Sequence, residues 1–245
     1  AGDSVKINAI GAVTVGNYTK NTSIGTPETL DGAATTLVID QQKFFNFMVD
    51  DIDRVQQTPK MMEEAMREAG YALADTLDTY LSGLAWQQTA AANMIGTNAA
   101  PKTDAATDKY AYNYLLQLGT LLTESNVPRE GRWIVLPPWY VELLLKDSRF
   151  INPGTPEAEA RMANAVVGRL AGFTILESNN VPNTNNDNYK IIAGHSMAWT
   201  LAEQIVKVVA YRPEGYFSDA VKGLHVYGAK VIRPTALAVL HIDRP

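Results

Sequence analysis

The chain has no cysteine, and this absence excludes disulfides and thiolate metal sites together. Histidine is scarce, with three residues in 245, widely spaced at His195, His225 and His241. Basic charge is also thin: 21 Lys and Arg stand against 26 Asp and Glu, for a net charge of −5. No basic run exceeds two residues. Proteins that grip phosphates through their surface carry a basic stripe, so tight sequence-independent DNA binding is not expected. No run of about 18 apolar residues is present to cross a bilayer as a helix. Neither a phosphate-cradling glycine loop nor a dinucleotide fingerprint occurs. An initiator methionine is missing as well. The sequence opens Ala1-Gly2-Asp3 and enters a strand-like run at once, so a further N-terminal segment, removed by processing or absent from the sequence, is expected.

What is present is apolar material for a sizeable core, 46% hydrophobic against 19% charged residues. The length suits one large domain or two closely connected ones. Val5 and Ile7 alternate with polar neighbours, as do Val13 and Val15, then Leu37 and Ile39, then Phe45, Phe47 and Val49. These read as paired strands. Between them residues 16–35 are rich in Thr, Asn and Gly, with Tyr18, Ile24 and Leu30 as the large apolar anchors. Such a long polar excursion is uncommon inside a compact domain. It is either a surface loop without fixed structure or an arm that becomes ordered on a neighbour, since its few anchors do not offset the entropy of fixing it.

A long helix follows. Thr58 suits the N-cap and Pro59 the first helical position. Met62, Met66, Ala69, Leu73, Leu77, Tyr80 and Leu84 then recur at spacings of three and four, which is one apolar face. Glu63, Glu64, Arg67, Glu68, Asp75 and Asp78 supply the polar side, with Glu63 and Arg67 a favourable i,i+4 pair. From Pro59 to about Gln88 the helix would run roughly 45 Å, about the width of a compact globule of this length. An elongated subunit is therefore expected. Helices are also expected over about 105–124, from Pro138 to Lys146, over about 156–170 and over 196–202. Strands are expected at 133–136, 173–177, 189–193, 205–211, 224–232 and 236–242. Strands, then helices, then strands make an α+β protein.

Few residues suggest chemistry. Gly194-His195-Ser196-Met197-Ala198 resembles a degenerate nucleophile elbow, and Asp219 with His225 or His241 could complete a serine hydrolase using Ser196. The plainer reading is a strand-to-helix turn with Ser196 as N-cap. The parallel strand–helix units that should precede an elbow are missing. Asp50, Asp51 and Asp53 before Arg54 read as a solvated acidic turn rather than an ion site. The Asn-rich stretch from Asn179 to Asn188 lacks the glycine and glutamate of a calcium loop and reads as an exposed loop. No catalytic, cofactor or metal residue is assigned.

Function enters through resemblance. Glu203-Gln204-Ile205-Val206, then Ala210-Tyr211-Arg212-Pro213-Glu214, then the run from Asp219 through Lys222-Gly223-Leu224-His225-Val226-Tyr227-Gly228-Ala229-Lys230 to Arg233-Pro234, resemble the closing segment of tailed-bacteriophage major capsid proteins. Gly2-Asp3-Ser4-Val5 is similar to the start of that family's extended loop. Residues 47–53 resemble its lead into the spine helix, and Arg132-Trp133-Ile134-Val135-Leu136-Pro137-Pro138 its central axial strand. The resemblance implies the capsid fold shared with encapsulins and the herpesvirus shell floor. It implies an extended loop over 1–57, a peripheral domain over 58–103 and 201–245 with the spine helix at 59–88, and an axial domain over 104–200.

The implied role is non-enzymatic: a virion protein, assembled in the host bacterial cytoplasm, whose copies form pentamers and hexamers of an icosahedral shell around double-stranded DNA. Scaffolding, portal and decoration proteins are implied partners, and no membrane is involved. An encapsulin-like compartment shell is the alternative within the fold. Candidate inter-subunit contacts are Tyr18 and Lys20 on the arm, Arg54 at its base, Glu63 and Arg67 on the spine helix, and Asn183. Family members carry a further N-terminal stretch, absent here, and a lysine–asparagine cross-link of the kind some relatives form is not expected.

Overall fold

The computed structural model describes residues 4–9, 17–21, 23, 33–50, 61–104, 110–146 and 168–245. Its longest element is the helix that the apolar spacing implied, α1 (Met61–Gln88), about 42 Å of helix. Met62, Met66, Ala69, Leu73, Leu77, Tyr80 and Leu84 are all half-buried, and Glu63, Glu64, Arg67 and Glu68 are exposed. Ala85, near the far end, is the fully buried apolar residue of the helix. The stripe therefore lies along the protein rather than inside it.

Strands β1 (Ser4–Ala9) and β2 (Ala33–Val38) pair antiparallel as a separate two-stranded ladder, from Ser4 opposite Val38 to Ala9 opposite Ala33. The next strand, β3 (Gln41–Asp50), joins two late strands, β10 (Trp199–Tyr211) and β11 (Ser218–Val231), in a sheet of order β10-β11-β3. Its ladders are antiparallel and long, with one irregularity between Ile205 and Lys207.

The remaining strands form a seven-stranded mixed sheet. They are β4 (Met94–Ile95), β5 (Arg132–Leu136), β6 (Arg169–Leu170), β7 (Phe173–Glu177), β8 (Asn183–Thr184), β9 (Asn188–His195) and β12 (Leu237–Asp243). The order is β4-β12-β9-β5-β7-β6, with β8 paired to β9. Residues 237–242 of β12 are buried one after another, the pattern of a strand covered on both faces. Helix α2 (Tyr110–Glu124) packs on β12, and α3 (Pro138–Lys146) packs on α2. Leu115, Leu118, Leu122, Ile134, Leu136, Tyr140, Leu144, Phe173, Ile191 and Leu240 make a core with almost no exposure.

Two polar side chains hold this body together from inside. Arg132 is 5% exposed, and its guanidinium reaches the carbonyls of Gly119 (3.0 Å), Val127 (2.6 Å) and Pro128 (2.8 Å) and the hydroxyl of Thr123. It ties α2, through Gly119 and Thr123, to the turn at Val127 and Pro128 that follows the helix, while the last helix carbonyls are taken by the amides of Ser125, Asn126 and Val127. Asn93 donates to the carbonyls of Thr235 (2.8 Å) and Leu237 (2.9 Å) and accepts from the Ser125 hydroxyl. It ties the end of α1 to β12 and α2.

Several expectations are corrected. The helix expected over 196–202 is a single 3-10 turn, Ser196–Ala198, and β10 starts at Trp199. Its N-cap is His195, whose Nδ1 accepts from the Met197 amide at 3.1 Å, so Ser196 is not the cap. The helix expected over 156–170 lies outside the described residues except at its end, where Arg169–Leu170 is strand. The Asn-rich stretch is less loop-like than its polarity implied. Val181 and Asn188 are buried, Asn180 Nδ2 donates to Asp75 Oδ1 of α1 at 2.6 Å, and Asn185 and Asn186 adopt left-handed φ of 56° and 57° in a turn.

Candidate assembly surface

No catalytic arrangement forms around Ser196. Its backbone is not in the left-handed region that strains a nucleophile elbow, and strand rather than helix follows it. His225 sits in the three-stranded sheet and His241 in the seven-stranded one. Among the described residues no group of three His, Asp or Glu side chains is placed to hold a metal. Asp50 is exposed at the end of β3, while Asp51, Asp53 and Arg54 lie outside the described residues.

Both of those histidines are buried structural residues. His225 Nε2 lies 3.2 Å from Glu203 Oε1, without hydrogen-bond geometry. His241 is 2% exposed, edge-on to Trp86, and stands opposite Lys190 in the β12–β9 ladder. Burial, with the Lys190 ammonium beside it, holds its imidazole below the ordinary histidine value. The unfolded chain therefore binds a proton that the folded one refuses. The stability due to the neutral ring is complete above about pH 6.5 and is lost as pH falls toward the folded value. We expect urea midpoints to drop between about pH 7.5 and about pH 5.5, and His241→Gln to remove part of that slope. An unchanged slope in the variant would refute the assignment.

What the surface does offer is association. Phe44 is 77% exposed and faces Leu224 across the β3–β11 ladder, with Met48 four pairs along, also exposed. At the turn between β10 and β11, Tyr216 and Phe217 stand 65% and 85% exposed. Both outer strands of this sheet, β3 with 10 residues and β10 with 13, are long edges. A monomer normally blunts such edges and keeps apolar residues scattered. Between α1 and the sheet runs an apolar groove of about 340 Å³ lined by Phe45, Met66, Leu73, Leu77, Val208 and His225. The sequence carried a signal for part of this. Consecutive Phe44 and Phe45 in one strand must point to opposite faces, so one of them faces away from α1.

The contact candidates divide. Tyr18 is 71% exposed, and Lys20 is exposed beside Asn21, whose φ is 66°. Glu63 and Arg67 lie on the solvent side of α1. Asn183 is exposed, but its side chain serves its own turn, donating to the Val181 carbonyl and accepting from the Asn186 amide.

The decisive comparison is with a family model described as phage capsid protein, which matches residues 32–240. The chain belongs to that family. It is a structural protein of a capsid shell, and its role is not enzymatic. Solved structures agree on the fold. A chain from Mycobacterium phage Che8 is 29% identical, with 98% of this chain and 85% of that one covered and a TM-score of 0.75. A chain from the capsid of cyanophage P-SCSP1u is 19% identical, covering 100% and 85%, with a TM-score of 0.78. The SrpI encapsulin of Synechococcus elongatus PCC 7942 shares the fold at 12% identity and a TM-score of 0.62, covering 98% and 82%. No curated protein matches the sequence. Membership in a capsid protein family implies self-assembly into a multi-copy shell.

Proposed function

We propose that copies of this capsid protein form the pentamers and hexamers of an icosahedral shell enclosing double-stranded DNA, assembled in the cytoplasm of a bacterial host. The family match over residues 32–240 carries the reading. Residues 1–57 act as the extended arm and the strand that leads from it, 58–103 with 201–245 as the peripheral part, and 104–200 as the axial part. The division runs through the seven-stranded sheet, since β4 and β12 come from the peripheral segments and β5 to β9 from the axial one. Support for an arm comes from the β1–β2 ladder, which belongs to neither larger sheet. Tyr18, Lys20, Glu63 and Arg67 are proposed to meet neighbouring copies, Asn183 to present its turn, and Arg54 to act at the arm's base.

Permanent assemblies bury several thousand Å² per subunit, and rim ion pairs set geometry more than affinity. The net charge of −5 favours a lining along which DNA slides without adhering. Scaffolding, portal and decoration proteins are proposed partners. The encapsulin likeness supports a second reading, the same shell around protein cargo. Electron microscopy of the purified particles, with assay of nuclease-protected nucleic acid, separates the two. Shells holding protected double-stranded DNA are expected; shells holding protein without DNA would favour the compartment.

A further inference from the structure

Among the described residues the arm joins the body at one bend. Strand β2 ends at Val38, Ile39 and Asp40 turn the chain, and β3 begins at Gln41. Two contacts hold this bend on β11, and the residue between them is buried. Lys230 Nζ donates to the Thr36 carbonyl at 2.8 Å, a side chain reaching from the body to the arm. Leu37 is 1% exposed, while Thr36 and Val38 on either side of it are exposed. At Gly228 the two backbones touch: a Cβ there would collide with the Val38 carbonyl oxygen and lie 2.8 Å from the Ile39 Cα. Backbone atoms cannot swing aside as the end of a side chain can, so only glycine fits. Tyr227, next along β11, packs edge-on against Tyr80 of α1 at 5.5 Å. The stretch of β11 that receives the arm is therefore itself held on the long helix.

We propose that Gly228 and Lys230 are positioning residues that fix the direction in which the arm leaves the body, and through it the angle at which neighbouring subunits meet. The second half of this rests on the reading that the arm reaches an adjacent copy. A two-stranded ladder has little rigidity of its own, so its direction is set where it is anchored. The six described pairs of the ladder extend roughly 20 Å, and a swing of about 10° at the bend displaces their far end by roughly 3 Å. Errors of that size, repeated at every copy, change the curvature at which a shell closes. Neither residue fills the core. Gly228 has no side chain, and Lys230 is half-buried on an edge of the contact.

The test uses the absence of native cysteine. Ala9→Cys at the far end of the described ladder and Tyr71→Cys at an exposed position on α1 carry spin labels whose separation is read by pulsed electron resonance. The otherwise unaltered protein should give a narrow distance distribution. Lys230→Met, which keeps the apolar stem and removes the donor, should broaden it about twofold. Gly228→Ala should shift its mean by a few Å, in the manner of a wedge. An unchanged distribution in Lys230→Met overturns the clamp, even if Gly228→Ala proves unable to fold. Where the unaltered chain closes into shells, Lys230→Met should give mixed diameters or open fragments while the subunit's Tm stays within about 2 °C. Uniform shells of the parental diameter would overturn the link to curvature. Should the unaltered chain close under no condition, the shell reading fails, while the label distances still judge the clamp.

Discussion

Phe173→Ala should destabilise the unassembled subunit by about 3–5 kcal/mol, the range for removing a fully buried aromatic ring. Phe173 begins β7 with no exposure, and its ring lies against Gly119 of α2, 3.5 Å from where a Cβ on that residue would stand. The ring therefore packs directly on α2 at Gly119. Leucine should cost far less than alanine at this position, since it keeps most of the volume. A loss of 3–5 kcal/mol corresponds to a fall in Tm of roughly 6–20 °C for a chain of this size. The measurement belongs on unassembled protein, because contacts between copies add stability by mass action. A cost below about 1.5 kcal/mol would mean that α2 and β7 do not pack as described.

Arg132→Met should cost about 2–4 kcal/mol, and for a different reason. Methionine matches the apolar stem, so little packing is lost. What it removes are the donors to the Val127 and Pro128 carbonyls in the turn after α2, which lose their side-chain partner. Gly119 and Thr123 suffer less, because the Thr123 hydroxyl also donates to the Gly119 carbonyl at 2.8 Å. Burial, with Arg129 nearby, draws the guanidinium pKa down, yet its ordinary value is high enough that it stays charged. Arg132→Lys should recover roughly half the loss, since one ammonium cannot span four acceptors arranged for a planar fork. Guanidinium denaturation of the two variants checks this. Equal stabilities for Met and Lys would refute the role of the fork in holding this turn on α2.

Both side chains lie where the sequence was readable. The strand at Phe173–Glu177 and the helix ending at Gln88 follow directly from their periodicities. Legibility failed at residues 196–202. Serine before Met-Ala reads as a helix start by cap preference, but the imidazole of His195 takes the cap. The 14-residue partner β11 then recruits Trp199 onward into strand, tertiary pairing overriding local propensity. The Asn-rich stretch misled in the opposite direction. Its polarity implied solvent, whereas Asn180 and Asn188 spend their amides inside the protein, on Asp75 and on the Asn98 carbonyl.

The assembly surface was less legible still, and for a physical cause. An interface residue is chosen by what faces it, and a single chain contains half of that pair. Exposed Tyr18 or Arg67 looks the same in sequence whether it meets water or another copy. Gly228 and Lys230 could not be singled out either, because their importance comes from β2, some 190 residues earlier, arriving at β11.

That separation has a consequence for how the protein is made. Strand β11 is the central strand of one sheet and β12 lies between β4 and β9 in the other. Both are encoded after every strand they complete. A ribosome therefore produces residues 1–217 before either sheet can close, at roughly 5–20 residues per second. Until then the nascent chain holds β3 without β11 and holds β4 and one edge of β9 without β12. A chain cut short in that region lacks β11, the middle of one sheet, and β12, which joins β4 to β9 in the other. The late placement of β11 and β12 ties closure of both sheets to nearly completed translation.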